Sequence, residues 1–156
     1  MVPKLKVEIG QAKRFVSIET EAFLNVQRTS DLLMRGLEKV LKPAGLTQTQ
    51  YNVLRILRGA GRQGLMCHEL GERMLTRDPD ITRLLDRLEA RGLVRRSRSQ
   101  ADRRAVRTRI QAAGMFLLKQ LDDPVAELHS QQLQHLGPAR VRQLIDLLEA
   151  AREPLA

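Results

Sequence analysis

The chain has 156 residues, 42% hydrophobic and 29% charged, which suits one ordinary globular domain and excludes a disordered chain as the default reading. A formal net charge of +9 and an isoelectric point near 10.7 form the electrostatic footprint of a nucleic-acid binder. An anionic membrane surface or an acidic protein partner would select the same surplus of cations.

The aromatic residues are only Phe15, Phe23, Tyr51 and Phe116. Single-stranded nucleic acid is held by bases stacked on such rings. None of the four lies in the most basic stretch, so duplex DNA is the better-suited partner. The lone cysteine, Cys67, excludes an intramolecular disulfide framework. No apolar run approaches the roughly 20 residues that cross a bilayer, and the first residues lack a secretory apolar core. The expectation is a cytoplasmic protein with no membrane partner.

In chain order, Ile18, Ala22, Val26, Thr29, Leu33, Leu37 and Val40 recur at spacings of three and four, predicting a long helix from Phe15 to Leu41. Pro43 and Gly45 stop it. A second helix starts at Thr47, which with Gln50 makes a capping box, while Leu46 and Tyr51 are placed for a hydrophobic staple. It ends at Gly59-Ala60-Gly61. A short helix follows from about Met66 to Met74, then a turn.

Asp78-Pro79 predicts the start of the next helix, with Asp as N-cap and Pro at the first helical position. In it Ile81, Leu84, Leu85 and Leu88 form an i, i+3, i+4, i+7 stripe. Asp80, Thr82, Arg83, Asp86 and Arg87 lie on the opposite side, and Gly92 closes the helix. The period then changes: Leu93–Ser97 and Val106–Ile110 read as strands of a hairpin. Helical spacing resumes at Met115, Leu118, Leu121, Val125 and Leu128, where Pro124 is expected to kink or break the helix and Asp122 and Asp123 to be helix-end residues. Gly137-Pro138 opens a last helix carrying Val141, Leu144, Ile145 and Leu148 on one side.

Three short helices and a two-stranded hairpin make the winged helix-turn-helix plan. The helix from Asp78 to Arg91 buries its leucines and leaves Asp80, Thr82, Arg83 and Arg87 facing outward, where its first half fits a major groove. Arg83 and Arg87, four apart, mildly destabilise a bare helix and become favourable between phosphates or over a guanine edge. Charges on a helix face are also commonly just solvated. Between residues 91 and 109 stand eight arginines, no lysine and one acid, Asp102. That favours recognition of phosphate or a narrow minor groove.

Leu46-Thr-Gln-Thr-Gln-Tyr51, the run from Asp80 to Val94 and Asp102-Arg-Arg-Ala-Val106 together resemble the multiple-antibiotic-resistance regulator (MarR) family. The matching helix order extends the resemblance over nearly the whole chain. It implies a homodimer with interleaved terminal helices, an Asp102–Arg104 pair shaping the wing, and an arginine (Arg104, or its neighbour Arg103) reaching the minor groove from the wing tip. It makes Arg77, Asp80, Thr82 and Arg83 DNA contacts, with Arg87 on the same face. Asp80 departs from the small polar residues often found there. It either accepts from a cytosine amino group or simply favours the positive end of the helix dipole.

The resemblance further implies a small aromatic-acid effector between the dimer helices and the DNA-binding lobe, with Tyr51 and Arg55 as pocket residues. Tyr51 equally fits a packed staple residue. The expected fold class is mainly α, a winged helix-turn-helix with a two-stranded wing and long terminal dimerisation helices in one intertwined domain. Residues 1–45 and 111–156 form the dimerisation helices and 46–110 the DNA-binding lobe.

Cys67 is expected to be a small packed residue rather than an oxidant sensor or one half of an intermolecular disulfide. His68, His129 and His135 lack metal-ligand spacing, and no catalytic motif is present, so neither enzyme, metal nor cofactor is expected. The expected function is a sequence-specific, ligand-responsive repressor on a pseudo-palindromic operator. The rivals are a non-specific architectural DNA binder and a winged helix used for protein contact.

Overall fold

The computed structural model describes residues 4–76, 80–98 and 106–155, and the chain divides into two compact units, Met1–Gly36 and Leu37–Ala156. In the first, a short helix α1 (Lys4–Glu8) that the periodicity does not predict buries Leu5. Helix α2 (Ile18–Leu41), whose residues from Leu37 onward belong to the second unit, starts three residues later than expected, because the Ser17 hydroxyl accepts from the Thr20 amide at 3.2 Å and caps it there. Along α2 only Leu41 is buried, while Phe23, Val26 and Leu32 are exposed.

In the second unit, a 3-10 turn (Lys42–Ala44) ends at Gly45, whose φ of 63° is the left-handed stop that glycine tolerates best. Helix α3 (Gln48–Ala60) opens with the complete capping box. The Gln50 amide donates to the Thr47 hydroxyl and the Gln50 side chain accepts from the Thr47 amide. Leu46 and Tyr51 are both buried in the one core cluster, as a staple requires. Strand β1 (Leu65–Met66) and helix α4 (Cys67–Arg73) follow. The Glu69 carboxylate reaches back 2.7 Å to accept from the Met66 amide at the strand-to-helix junction.

Helix α5 (Ile81–Ala90) buries Leu84, Leu85 and Leu88. It closes as a Schellman motif: Gly92 at φ 68° donates to the Glu89 carbonyl, and Leu93 to the Leu88 carbonyl. Strands β2 (Val94–Arg98) and β3 (Val106–Ile110) pair antiparallel, with Val94 opposite Ile110 and Arg98 opposite Val106. The expected two-stranded wing is present, and β1 adds a third strand beside it, giving the order β1-β3-β2 with Leu65 opposite Thr108. Gly64 allows the extra strand. It adopts φ 64°, and a Cβ there would overlap the Thr108 carbonyl oxygen.

Helix α6 (Ala112–Leu133) begins directly beneath the wing. The Gln111 amide donates to the Leu93 carbonyl at 2.9 Å, and Gly114 packs under the same oxygen. The helix is not broken at Pro124. Leu118, Leu121 and Val125 are buried on the flanking turns, and their packing offsets the missing backbone donor. Helix α7 (Gly137–Arg152) starts at the predicted Gly-Pro pair and buries no residue.

The core of this unit holds Leu41, Leu54, Leu57, Leu70, Leu88 and Leu118, all fully buried. Each such side chain is worth roughly 1.5–3 kcal/mol of transfer free energy. That packing fixes α3, α5 and the sheet around a common centre. Among the described residues no helix is long and apolar enough to cross a membrane.

Candidate nucleic-acid interface

Burying the leucine stripe of α5 fixes what its other face presents. Thr82, Arg83 and Arg87 are exposed on it, and the Arg83 side chain is 71% exposed. Asp80 is the N-cap: its backbone (φ −132°, ψ 57°) lies outside the helix and its carboxylate accepts from the Arg83 amide at 3.0 Å. The N-cap expected at Asp78 is therefore corrected to Asp80, since the described helix starts at Ile81. The second Asp80 oxygen lies 3.4 Å from Arg83 Nε. Alongside, the start of α3 and the face of α5 enclose a cleft of about 350 Å³ lined by Thr47, Thr49, Gln50, Asp80, Arg83 and Arg87. Sequence reasoning missed Thr49, because only the fold brings the α3 N-terminus beside α5.

The wing is tied to α5 by Arg96. Its amide and Nε donate to the Glu89 carboxylate at 2.7 and 2.8 Å, and its other end meets Asp86. The bonds from the Arg96 amide, and then from its guanidinium, hold the Glu89 carboxyl below the usual glutamate range. Arg91 donates to the Gly45 and Ala44 carbonyls at 2.6 and 3.0 Å, satisfying the end of the 3-10 turn. Arg107 donates to the Gly64 carbonyl and lies 3.5 Å from Glu69, while Arg109 donates to the Arg62 carbonyl and to Ser97.

Four of the arginines that looked like DNA ligands (Arg91, Arg96, Arg107 and Arg109) thus hold the protein together. Arg95 and Arg98 on β2 are exposed. Arg77, Asp102, Arg103 and Arg104 lie outside the described residues.

A second cleft, of about 170 Å³, is lined by Tyr51, Arg55, Arg58, Asp122, Val125 and His129. The Arg55 guanidinium stands 5.8 Å from the Tyr51 ring centroid. Tyr51 is a buried core residue, and its burial pushes the phenol up. Asp122, expected at a helix end, sits inside α6 and takes a two-pronged pair from Arg58 at 2.9 Å for each bond. That pair holds the Asp122 carboxyl below the usual range.

Cys67 is exposed rather than packed, because it opens α4 at the chain's exit from β1. His68, His129 and His135 are exposed as well. Among the described residues no cluster of His, Cys, Asp and Glu is arranged to hold a metal.

Helices α3, α4 and α5 with the three-stranded sheet behind them define a winged helix-turn-helix. The family model for the MarR family matches residues 46–106, the same lobe. The chain is 29% identical over 118 residues to the HTH-type transcriptional regulator FarR of Neisseria gonorrhoeae, a match spanning 76% of this chain and 80% of FarR. It is 40% identical to the MarR transcription factor of Planctomyces limnophilus, whose crystal structure superposes with a TM-score of 0.67 over 88% of this chain and 99% of that one. Sco3205 of Streptomyces coelicolor, a MarR family transcriptional regulator crystallised in complex with DNA, shares the fold at 22% identity. Its TM-score is 0.78, over 93% of this chain and 92% of that one. The chain belongs to the MarR family of helix-turn-helix transcriptional regulators.

Proposed function

We propose that this regulator binds duplex DNA sequence-specifically as a homodimer on a pseudo-palindromic operator, acting in the cytoplasm by binding rather than by catalysis. The observation that carries the reading is α5: one face buried, the other offering Thr82, Arg83 and Arg87 beside an arginine-bearing wing. Asp102, Arg103 and Arg104 serve the wing tip, Arg77 the approach to α5. That a neighbour with the same fold was crystallised in complex with DNA supports the DNA-binding reading.

The dimer is supported by α7. It carries Val141, Leu144, Ile145 and Leu148 in a stripe, yet buries nothing, and Ile145, Leu147 and Leu148 are exposed. Most helical stability comes from packing an apolar face, so a second copy is the natural cover for this stripe. Residues 1–45 and 111–156 supply the dimer helices and 46–110 the DNA-binding lobe.

Promoter occupancy excludes polymerase, so the regulator is a repressor. An aromatic acid in the cleft of Tyr51 and Arg55 shifts the population towards dimers whose recognition helices are wrongly spaced. At about 170 Å³ the cleft suits a single-ring acid and is below the size of drug-sized pockets.

The test is selection of random duplex DNA by the purified protein at near-physiological salt. A two-fold-symmetric motif with half-sites about one helical turn apart is the expected result. Binding without an enriched motif would support an architectural role, and no binding a protein-contact role.

A further inference from the structure

We propose that Arg83 reads a guanine in each half-site and that Asp80 is its positioning residue. The inference rests on the duplex-DNA reading above and assigns the specificity of that site.

Asp80 and Arg83 meet twice. One carboxylate oxygen accepts from the Arg83 amide at 3.0 Å, and the other lies 3.4 Å from Arg83 Nε. The N-cap of the helix and the partner of the side chain are therefore the same group. Arg83 is in the first turn of α5, the part of a recognition helix that faces base edges in a major groove. Its exposure leaves the guanidinium accessible.

With Nε directed at Asp80, the free end of the fork is Nη1 and Nη2. Two parallel donors match the O6 and N7 acceptors of guanine. Adenine sets a donor amino group where guanine has O6, so it offers this fork only one acceptor.

The carboxylate also steers by charge. It repels the DNA phosphates, so an arginine bound to it is held away from the backbone and towards the bases. Arg87, one turn further along α5, is the cation suited to phosphate. This assignment replaces direct reading of cytosine by Asp80, because the Asp80 oxygens serve Arg83.

The experiment repeats the random-duplex selection, with quantitative binding to single-base variants of the recovered site. The proteins compared are the wild type, Arg83→Ala, Asp80→Ser and the double variant. Serine preserves the N-cap, and helicity and thermal midpoint verify that it does; Asp80→Asn, which also caps, is the second variant should serine unfold α5.

Wild type is expected to prefer guanine at one pair of each half-site by about tenfold or more, and Arg83→Ala to abolish that preference. Asp80→Ser is expected to reduce it several-fold at that pair alone, and to add nothing in the Arg83→Ala background. Unchanged preference in both Asp80 variants overturns the positioning role. A shift caused by Asp80→Ser in the Arg83→Ala background means that Asp80 touches the base itself, and overturns it too. A wild type that binds DNA but selects no Arg83-dependent guanine overturns the assignment of Arg83. A wild type that enriches no motif removes the sequence-specific reading and this inference with it.

Discussion

The amide and the guanidinium of Arg96 converge on one carboxylate, that of Glu89, at 2.7 and 2.8 Å. Glu89 lies in the last turn of α5, and the chain then turns through Gly92 and returns along β2, so this contact closes the loop between recognition helix and wing. The angle between the two elements that would grip DNA is fixed by a residue that need not touch DNA.

Glu89→Ala is accordingly expected to destabilise the fold by about 1–2 kcal/mol, the figure for a partly exposed, charge-assisted bond. Glu89→Gln should cost less, since its carbonyl can still serve the Arg96 amide. Urea denaturation of the two variants checks the order. Equal stability of Glu89→Ala and wild type would remove Glu89 from its bracing role.

Acid should loosen this junction and the Arg58–Asp122 contact between α3 and α6. The Glu89 and Asp122 carboxyls are both depressed, by Arg96 and Arg58 respectively. The unfolded chain then binds protons more readily than the folded one, so stability rises with pH through this region. The contribution is present above the ordinary carboxylate pKa of about 4 and is lost as pH falls through the lower folded values. Denaturation midpoints measured from pH 7 down to pH 3 should decline below about pH 4. The decline should be shallower in Glu89→Gln.

Gly64→Ala tests the unforeseen strand. The substitution must accept φ 64° and an overlap with the Thr108 carbonyl oxygen, with an expected loss of about 2 kcal/mol or more. Gly92→Ala is the control: its φ of 68° is similar, but nothing lies within 4 Å of an added Cβ. It should cost about 1 kcal/mol. Similar thermal midpoints for the two would show that β1 contributes nothing to the wing.

What the sequence made legible was local. The Thr47–Gln50 box, the Ile81–Leu88 stripe and the Gly92 stop each depend on residues within two turns of one another, and each appears where spacing placed it. What escaped depends on distant chain segments. Leu65 becomes a strand only because Thr108 lies opposite. Arg91 becomes a cap for Gly45 only in the folded lobe. Asp122 looked like a helix end beside Pro124 because the burial holding α6 together through the proline is tertiary. The arginine-rich stretch overstated the DNA surface for that reason: charge is visible in a sequence, and its internal partners are not.

Arg87→Ala should weaken an operator and a random duplex by similar factors. The slope of log affinity against log salt should fall by about one, as expected when one phosphate contact is lost. Titrations at several salt concentrations measure it. A loss confined to the operator would move Arg87 from backbone to base.

Gly114 lies where the first turn of α6 passes beneath the wing, and an added Cβ would come within 2.5 Å of the Leu93 oxygen and 2.8 Å of the Ile110 side chain. The seam has no slack. Close-packed surfaces shift by discrete jumps rather than by gradual yielding. A tilt of α6, whatever drives it, therefore finds no void in which to dissipate and is geared straight into β2 and β3. The wing swings with the helix as one lever, with its fulcrum at a residue that has no side chain.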